Sequence, residues 1–158
     1  MELTSNIVTT APLHAATVVL LRDGTSGMEV FLMKRHSKSD VLGGAYVFPG
    51  GKVDAADAHT DLAAQLDQPA DALHAALAEP GIDAATASGL YVAAIREVFE
   101  ESGVLFARRS DGQPLDLAQA TALQRAGTDF SAVLAQSGLQ LLTSALLPWS
   151  RWITPRMP

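Results

Sequence analysis

The sequence predicts an α/β fold, a sheet flanked by helices in one domain. Three observations carry that expectation. Short apolar runs bounded by Gly-rich turns occupy residues 17–48, and a long amphipathic helix follows near the middle of the chain. The chain has 158 residues, 48% of them hydrophobic, which is enough for a single core.

Residues 17–21 (Thr-Val-Val-Leu-Leu) read as a buried strand, closed by the turn signal Asp23-Gly24-Thr25-Ser26-Gly27. Residues 30–33 supply its antiparallel partner. A polar loop over 34–44 leads to a brief strand at 45–48, stopped by Pro49-Gly50-Gly51. Residues 54–88 change character: rich in Ala, Asp, Gln and Leu, and punctuated by Pro69, Pro80 and Gly81, they predict one or two short helices as an insertion over about 55–88. The firmest helix spans 92–102. At about 100° per residue, Tyr91, Ile95, Val98 and Phe99 share one side while Glu97, Glu100 and Glu101 share the other. Gly103 is its stop. Two short helices follow at 115–125 and 130–136, separated by Gly127. Residues 148–155, with Trp149 and Trp152, predict an extended, partly buried segment in which the indoles anchor packing.

Composition removes several function classes. With no cysteine, disulfides, thiolate zinc sites and cysteine nucleophiles are excluded together. No apolar run approaches the roughly 20 residues that span a bilayer, and residues 1–16 lack the pattern of a secretory leader. A cytoplasmic setting with no membrane partner is the expectation. A formal net charge of −6 argues against a nucleic-acid partner, whose footprint would be basic. It leaves room for a small anionic substrate held through a metal. The four histidines, at 14, 36, 59 and 74, show no metal-ligand spacing.

The block Arg96-Glu97-Val98-Phe99-Glu100-Glu101-Ser102-Gly103-Val104 is the informative part of the chain. Carboxylates at i, i+3 and i+4 repel one another by a few tenths of a kcal/mol. Near a helix C-terminus they also oppose the macrodipole, by about 0.3–1 kcal/mol. Folding gains nothing from that arrangement. A hard divalent cation, which takes oxygen ligands in a compact set, explains it. The plainer reading is a solvated helix face with an Arg96–Glu100 pair at i,i+4.

Taken with Gly50-Gly51 and Asp57, the block resembles the Nudix hydrolase box, G-x5-E-x7-R-E-U-x-E-E-x-G-U with U apolar. Gly51 matches its opening glycine, and residues 96–104 match its second half at every fixed position. Two departures stand out. Asp57 replaces a glutamate, and residues 58–95 stand where the usual box has seven. That insertion, with Phe48-Pro49-Gly50-Gly51 and the Trp149-Ser150-Arg151-Trp152 segment, is similar to the coenzyme A diphosphatase branch known from peroxisomes and its bacterial relatives.

The resemblance implies a mixed sheet sandwiched by helices and an Mg²⁺- or Mn²⁺-dependent hydrolysis of a pyrophosphate bond in a nucleoside diphosphate linked to another group. Coenzyme A or an acyl derivative is the favoured substrate. It implies metal ligation by Glu100, Glu101 and Glu97, with the backbone at Gly51 completing the set. Glu97 doubles as a candidate base for water, and Arg96 orients a glutamate through a forked contact. Arg35, Phe48, Gly50 and Asp57 are the candidate substrate contacts. Each has a structural alternative: a solvated strand-end charge for Arg35, a core position for Phe48, and a helix-capping role for Asp57 beside Asp54. Family members continue into further sheet and a closing helix, so residues 1–158 are expected to form one domain lacking its C-terminal part. A homodimer that completes it is kept open. The functional alternatives are pyrophosphatases acting on NADH, ADP-ribose or another nucleotide, and a Nudix-fold binding or regulatory module without turnover.

Overall fold

The computed structural model describes residues 12–38, 43–59, 62, 64–113, 115–127 and 129–153. Its strands run β1 (Ala15–Thr17), β2 (Leu21–Gly24), β3 (Gly27–Val30), β4 (Met33–Lys34), β5 (Tyr46–Val47) and β6 (Gly50–Lys52). A 3-10 turn at Ala55–Ala58 and helix α1 (Ala70–Leu77) lie within the insertion, followed by the long helix α2 (Ala84–Ser102). Strand β7 (Ala107–Arg109), helices α3 (Leu117–Arg125) and α4 (Phe130–Ser137), strand β8 (Leu139–Leu141) and a 3-10 turn at Thr143–Ala145 complete the order.

The α/β expectation holds. The described strands form antiparallel pairs, β1 with β6, β2 with β3, β4 with β5 and β7 with β8, and one isolated parallel bridge joins Leu66 to Leu141. The predicted strand at 17–21 is not one unit. Its start pairs with β6 and its end with β3, and the main-chain bonds Val18 N–H to the Pro49 carbonyl and Phe31 N–H to the Leu20 carbonyl carry the backbone across the join. Nor is it buried, for Val19 and Leu21 are exposed. The partner run at 30–33 divides in the same way between β3 and β4. Gly50 and Gly51, read as a strand terminator, are themselves strand, with Gly51 opposite Ala16. A Cβ on Gly50 would collide with the Ala16 carbonyl, so only glycine lets these backbones approach this closely.

Helix α2 begins well before residue 92. Asp83 caps it by accepting from the Thr86 N–H at 2.7 Å, so the last residues of the expected insertion are its first turns. At the other end Gly103 adopts φ 77° and its N–H returns to the Phe99 carbonyl at 2.8 Å. Tyr91, Ile95, Val98 and Phe99 are buried as the periodicity requires, and Ala87, Val92 and Ala93 join them. Of these, Tyr91, Val92, Ile95 and Phe99 pack with Leu62, Leu66, Leu73, Phe130, Leu134, Leu139 and Leu141 into the core cluster, so the insertion supplies part of the main core. Asp116 and Asp129 cap α3 and α4, and α3 starts two residues later than the expected 115 because Asp116 takes the capping position.

The segment at 148–153 carries no regular secondary structure, and Trp149 and Trp152 are 91% and 89% exposed and anchor no packing. Its fixed point is Arg151, which donates to Glu79 at 2.5 Å. The predicted end of that segment, 154–155, and the middle of the polar loop, 39–42, lie outside the described residues.

Candidate active site

The last turn of α2 lies against the β6 edge, and that apposition assembles the acidic cluster. Glu101 reaches across to accept the Gly50 N–H at 2.9 Å. Glu97 packs its carboxylate onto Gly51, where a Cβ would collide with it. A side chain at 51 would have to displace that carboxylate, so glycine is what leaves it room.

Arg96 organises the rest. Its side chain is 10% exposed and donates five ways: Nε to Asp57 Oδ1 at 2.9 Å, Nη2 to Asp57 Oδ2 at 3.0 Å and to the Lys52 carbonyl at 2.9 Å, and Nη1 to Glu97 Oε1 at 2.7 Å and Glu100 Oε2 at 3.2 Å. The fork expected for a glutamate goes to Asp57. That hydrogen bond, with the Glu97 contact, outweighs desolvation and holds the guanidinium above its already high ordinary value. The plain i,i+4 pair with Glu100 is present as one strand of a larger web.

Asp57 is 3% exposed and gives both oxygens to Arg96 while one also accepts the Asp54 N–H at 2.8 Å. Its assignment as a substrate contact is thus corrected: no face of it is left for a ligand. The capping alternative is realised, and the same carboxylate braces Arg96. A shorter acid suffices because the 3-10 turn brings it close. Burial pushes the Glu100 carboxyl above its usual range, against the opposing pull of Arg96, and the neighbouring charge of Glu97 adds to the rise.

On the strand side, Met33, Lys34, Arg35, His36, Val47 and Glu101 line an open cleft of about 400 Å³. Arg35 and Glu101, chosen from the sequence for different roles, therefore face one space. Phe48 is 38% exposed, which corrects the core reading. Sequence reasoning missed Lys34 and His36 beside Arg35, where a basic run in the sequence was the available signal. It also missed the Lys52 carbonyl, a backbone group with no sequence signature. The histidines do not assemble: 14, 36 and 59 are exposed, and His74 donates to the Glu79 carbonyl.

Among the described residues, no three acidic or imidazole side chains stand gathered around one point. The donor set still fits a hard divalent ion in chemistry. It offers three carboxylates within one helical turn, two of them seated on a glycine backbone that no side chain covers.

A family profile described as the NUDT19 Nudix domain matches residues 4–158. The chain belongs to the NUDT19 Nudix domain family. An acyl-coenzyme A diphosphatase NUDT19 from Xenopus laevis is 28% identical over 166 residues, covering 85% of this chain and 44% of its own length. The crystal structure of a NUDIX hydrolase from Alicyclobacillus acidocaldarius superposes with a TM-score of 0.61 at 32% identity, covering 86% of this chain and 59% of that one. The chain thus spans less than half of the frog relative and rather more than half of the bacterial one. Within this NUDT19 Nudix domain, the long stretch between Asp57 and Arg96 is no obstacle to the box. The 3-10 turn and α2 return Asp57 to Arg96 across the insertion.

Proposed function

We propose that this Nudix domain hydrolyses the pyrophosphate bond of a nucleoside diphosphate linked to another group, with Mg²⁺ or Mn²⁺ and with coenzyme A or an acyl-CoA as substrate. The observation that carries the reading is the seating of Glu97 and Glu101 on the Gly50-Gly51 backbone, with Glu100 in the same turn. Glu97, Glu100, Glu101 and the Gly51 backbone would hold the cation. A divalent ion there supplies neutralisation of phosphate oxygens and a lowered pKa for bound water. Glu97, held by Arg96 at 2.7 Å, would be the base for the attacking water. Arg96 keeps the crowded acids from driving one another apart, and Asp57 keeps Arg96 in place.

Arg35, with Lys34 and His36 beside it, offers positive charge to the substrate's phosphates from the far wall of the cleft. The exposed Phe48 ring offers a stacking surface next to Gly50. The frog relative's name supports the CoA class. A cytoplasmic location and a homodimer belong to the same proposal. Among the described residues, no helix is long and apolar enough to cross a membrane.

A binding module without turnover is the second reading, and one observation favours it: Arg96 already neutralises Glu97 and Glu100. Incubating the protein with CoA, NADH, ADP-ribose and dNTPs plus Mg²⁺ or Mn²⁺ separates these readings. Metal-dependent release of 3′,5′-ADP and phosphopantetheine from CoA is the expected result, lost in Glu100→Gln and Glu101→Gln. Turnover of NADH or ADP-ribose alone would move the substrate class. Wild-type rates in both glutamine variants would remove the metal site.

A further inference from the structure

The turn that carries Glu97, Glu100 and Glu101 is also where α2 ends. A helix C-terminus leaves its last carbonyls without intrahelical partners, and three carboxylates there add repulsion that favours fraying. Backbone capping meets only part of that need. Gly103 N–H serves the Phe99 carbonyl, but Val104 N–H turns to Ser102 Oγ at 3.2 Å and leaves the Glu100 carbonyl without it. Gln124 of α3 fills the gap. Its Nε2 donates to the Glu100 carbonyl at 2.9 Å and to the Phe99 carbonyl at 3.1 Å. Its Oε1 lies over Gly103, where a Cβ would stand at 3.0 Å, so the glycine that stops the helix also admits this side chain.

Helix α3 is a firm base for such a contact. Asp116 caps its start, Ala120 is buried, and Leu123 packs on the core. The strut therefore runs from the core to the main chain of a residue whose side chain faces the acidic cluster. It touches neither the carboxylates nor the cleft.

From this geometry we infer that Gln124 is a positioning residue for the cation-holding carboxylates. It fixes the backbone of Glu100, and through it the directions of the Glu100 and Glu101 side chains. The inference rests on the metal-site reading above. It is tested on the full chain with Mn²⁺ alone, by a binding isotherm, together with amide hydrogen exchange and thermal melting. Gln124→Met keeps the length and apolar stem but has no donor; Gln124→Lys restores a donor. The Met variant should weaken Mn²⁺ binding by about 10- to 100-fold, the range for losing a group that supports a metal ligand. It should also speed exchange at residues 100–104 while leaving α3 protected, and the Lys variant should recover most of both losses. Wild-type Mn²⁺ affinity in the Met variant overturns the inference. So does loss of protection throughout α2 and α3, which marks a merely structural residue. Wild-type protein that takes up no Mn²⁺ overturns the metal-site reading itself, and this inference with it.

Discussion

The described residues of 12–53 and of 62–141 hold their large apolar side chains in opposite ways. In the second region Leu73, Ile95, Leu134 and Leu141 are buried to within 1%. In the first, Leu21, Met28, Val30, Phe31 and Tyr46 all stand exposed. The acidic cluster lies on the seam between them. Polar contacts cross that seam: Arg96 to Asp57 and to the Lys52 carbonyl, and Glu101 to the Gly50 N–H. Hydrophobic burial is non-directional, whereas a forked guanidinium fixes both distance and angle. The difference teaches that the site's geometry is set by directional bonds, while stability resides on the helical side.

Removing the hub of the seam should have the largest effect. Arg96→Met strands Asp57 as a buried acid, with Glu97 half-buried beside it, and should destabilise by about 3–5 kcal/mol in urea unfolding. Paired with Asp57→Leu, the loss should shrink well below the sum of the single losses. Additive losses would mean that the two side chains are not coupled. The contrast between the regions is sharpened by two truncations. Leu134→Ala should lose about 2–5 kcal/mol, and Leu21→Ala no more than about 0.5 kcal/mol. Equal losses would erase the distinction.

Gly51→Ala separates geometry from stability. The added methyl must push the Glu97 carboxylate aside, a flexible group, so the melting temperature should hardly move while turnover falls by about 10-fold or more. Unchanged turnover would show that Glu97 need not sit on the glycine.

The smallest effect concerns acid. Burial raises the Asp67 carboxyl, but hydrogen bonds from Ser144 and Thr143, the latter at 2.6 Å, outweigh it and hold the group below the usual range. The unfolded chain then binds more protons in that window. Asp67 therefore contributes stability above about pH 4 that is lost as pH falls towards its lowered folded-state value. Asp67→Asn should flatten the acid limb of a stability–pH curve. An unaltered limb would show that these hydrogen bonds do not favour the charged form.

What the sequence by itself determined is local. Tyr91, Ile95, Val98 and Phe99 recur at helical spacing, so the buried side of α2 and its opposed acids follow from geometry. Gly103 follows from the left-handed conformation that ends a helix. The early start of α2 was also written locally, in Asp83, a capping residue two positions after the Pro80-Gly81 punctuation. Other features had no local signal. Residues 107–109 and 139–141 are strands because they pair with each other, and residues 17–21 split because two different partners claim their two halves. The tertiary structure alone decided that Asp57, 39 positions before Arg96, braces that arginine instead of meeting a ligand. It alone brought Gln124 to the Glu100 carbonyl. Periodicity and capping act within one turn of chain, whereas strand pairing, charge burial and long-range hydrogen bonds exist only once distant segments meet.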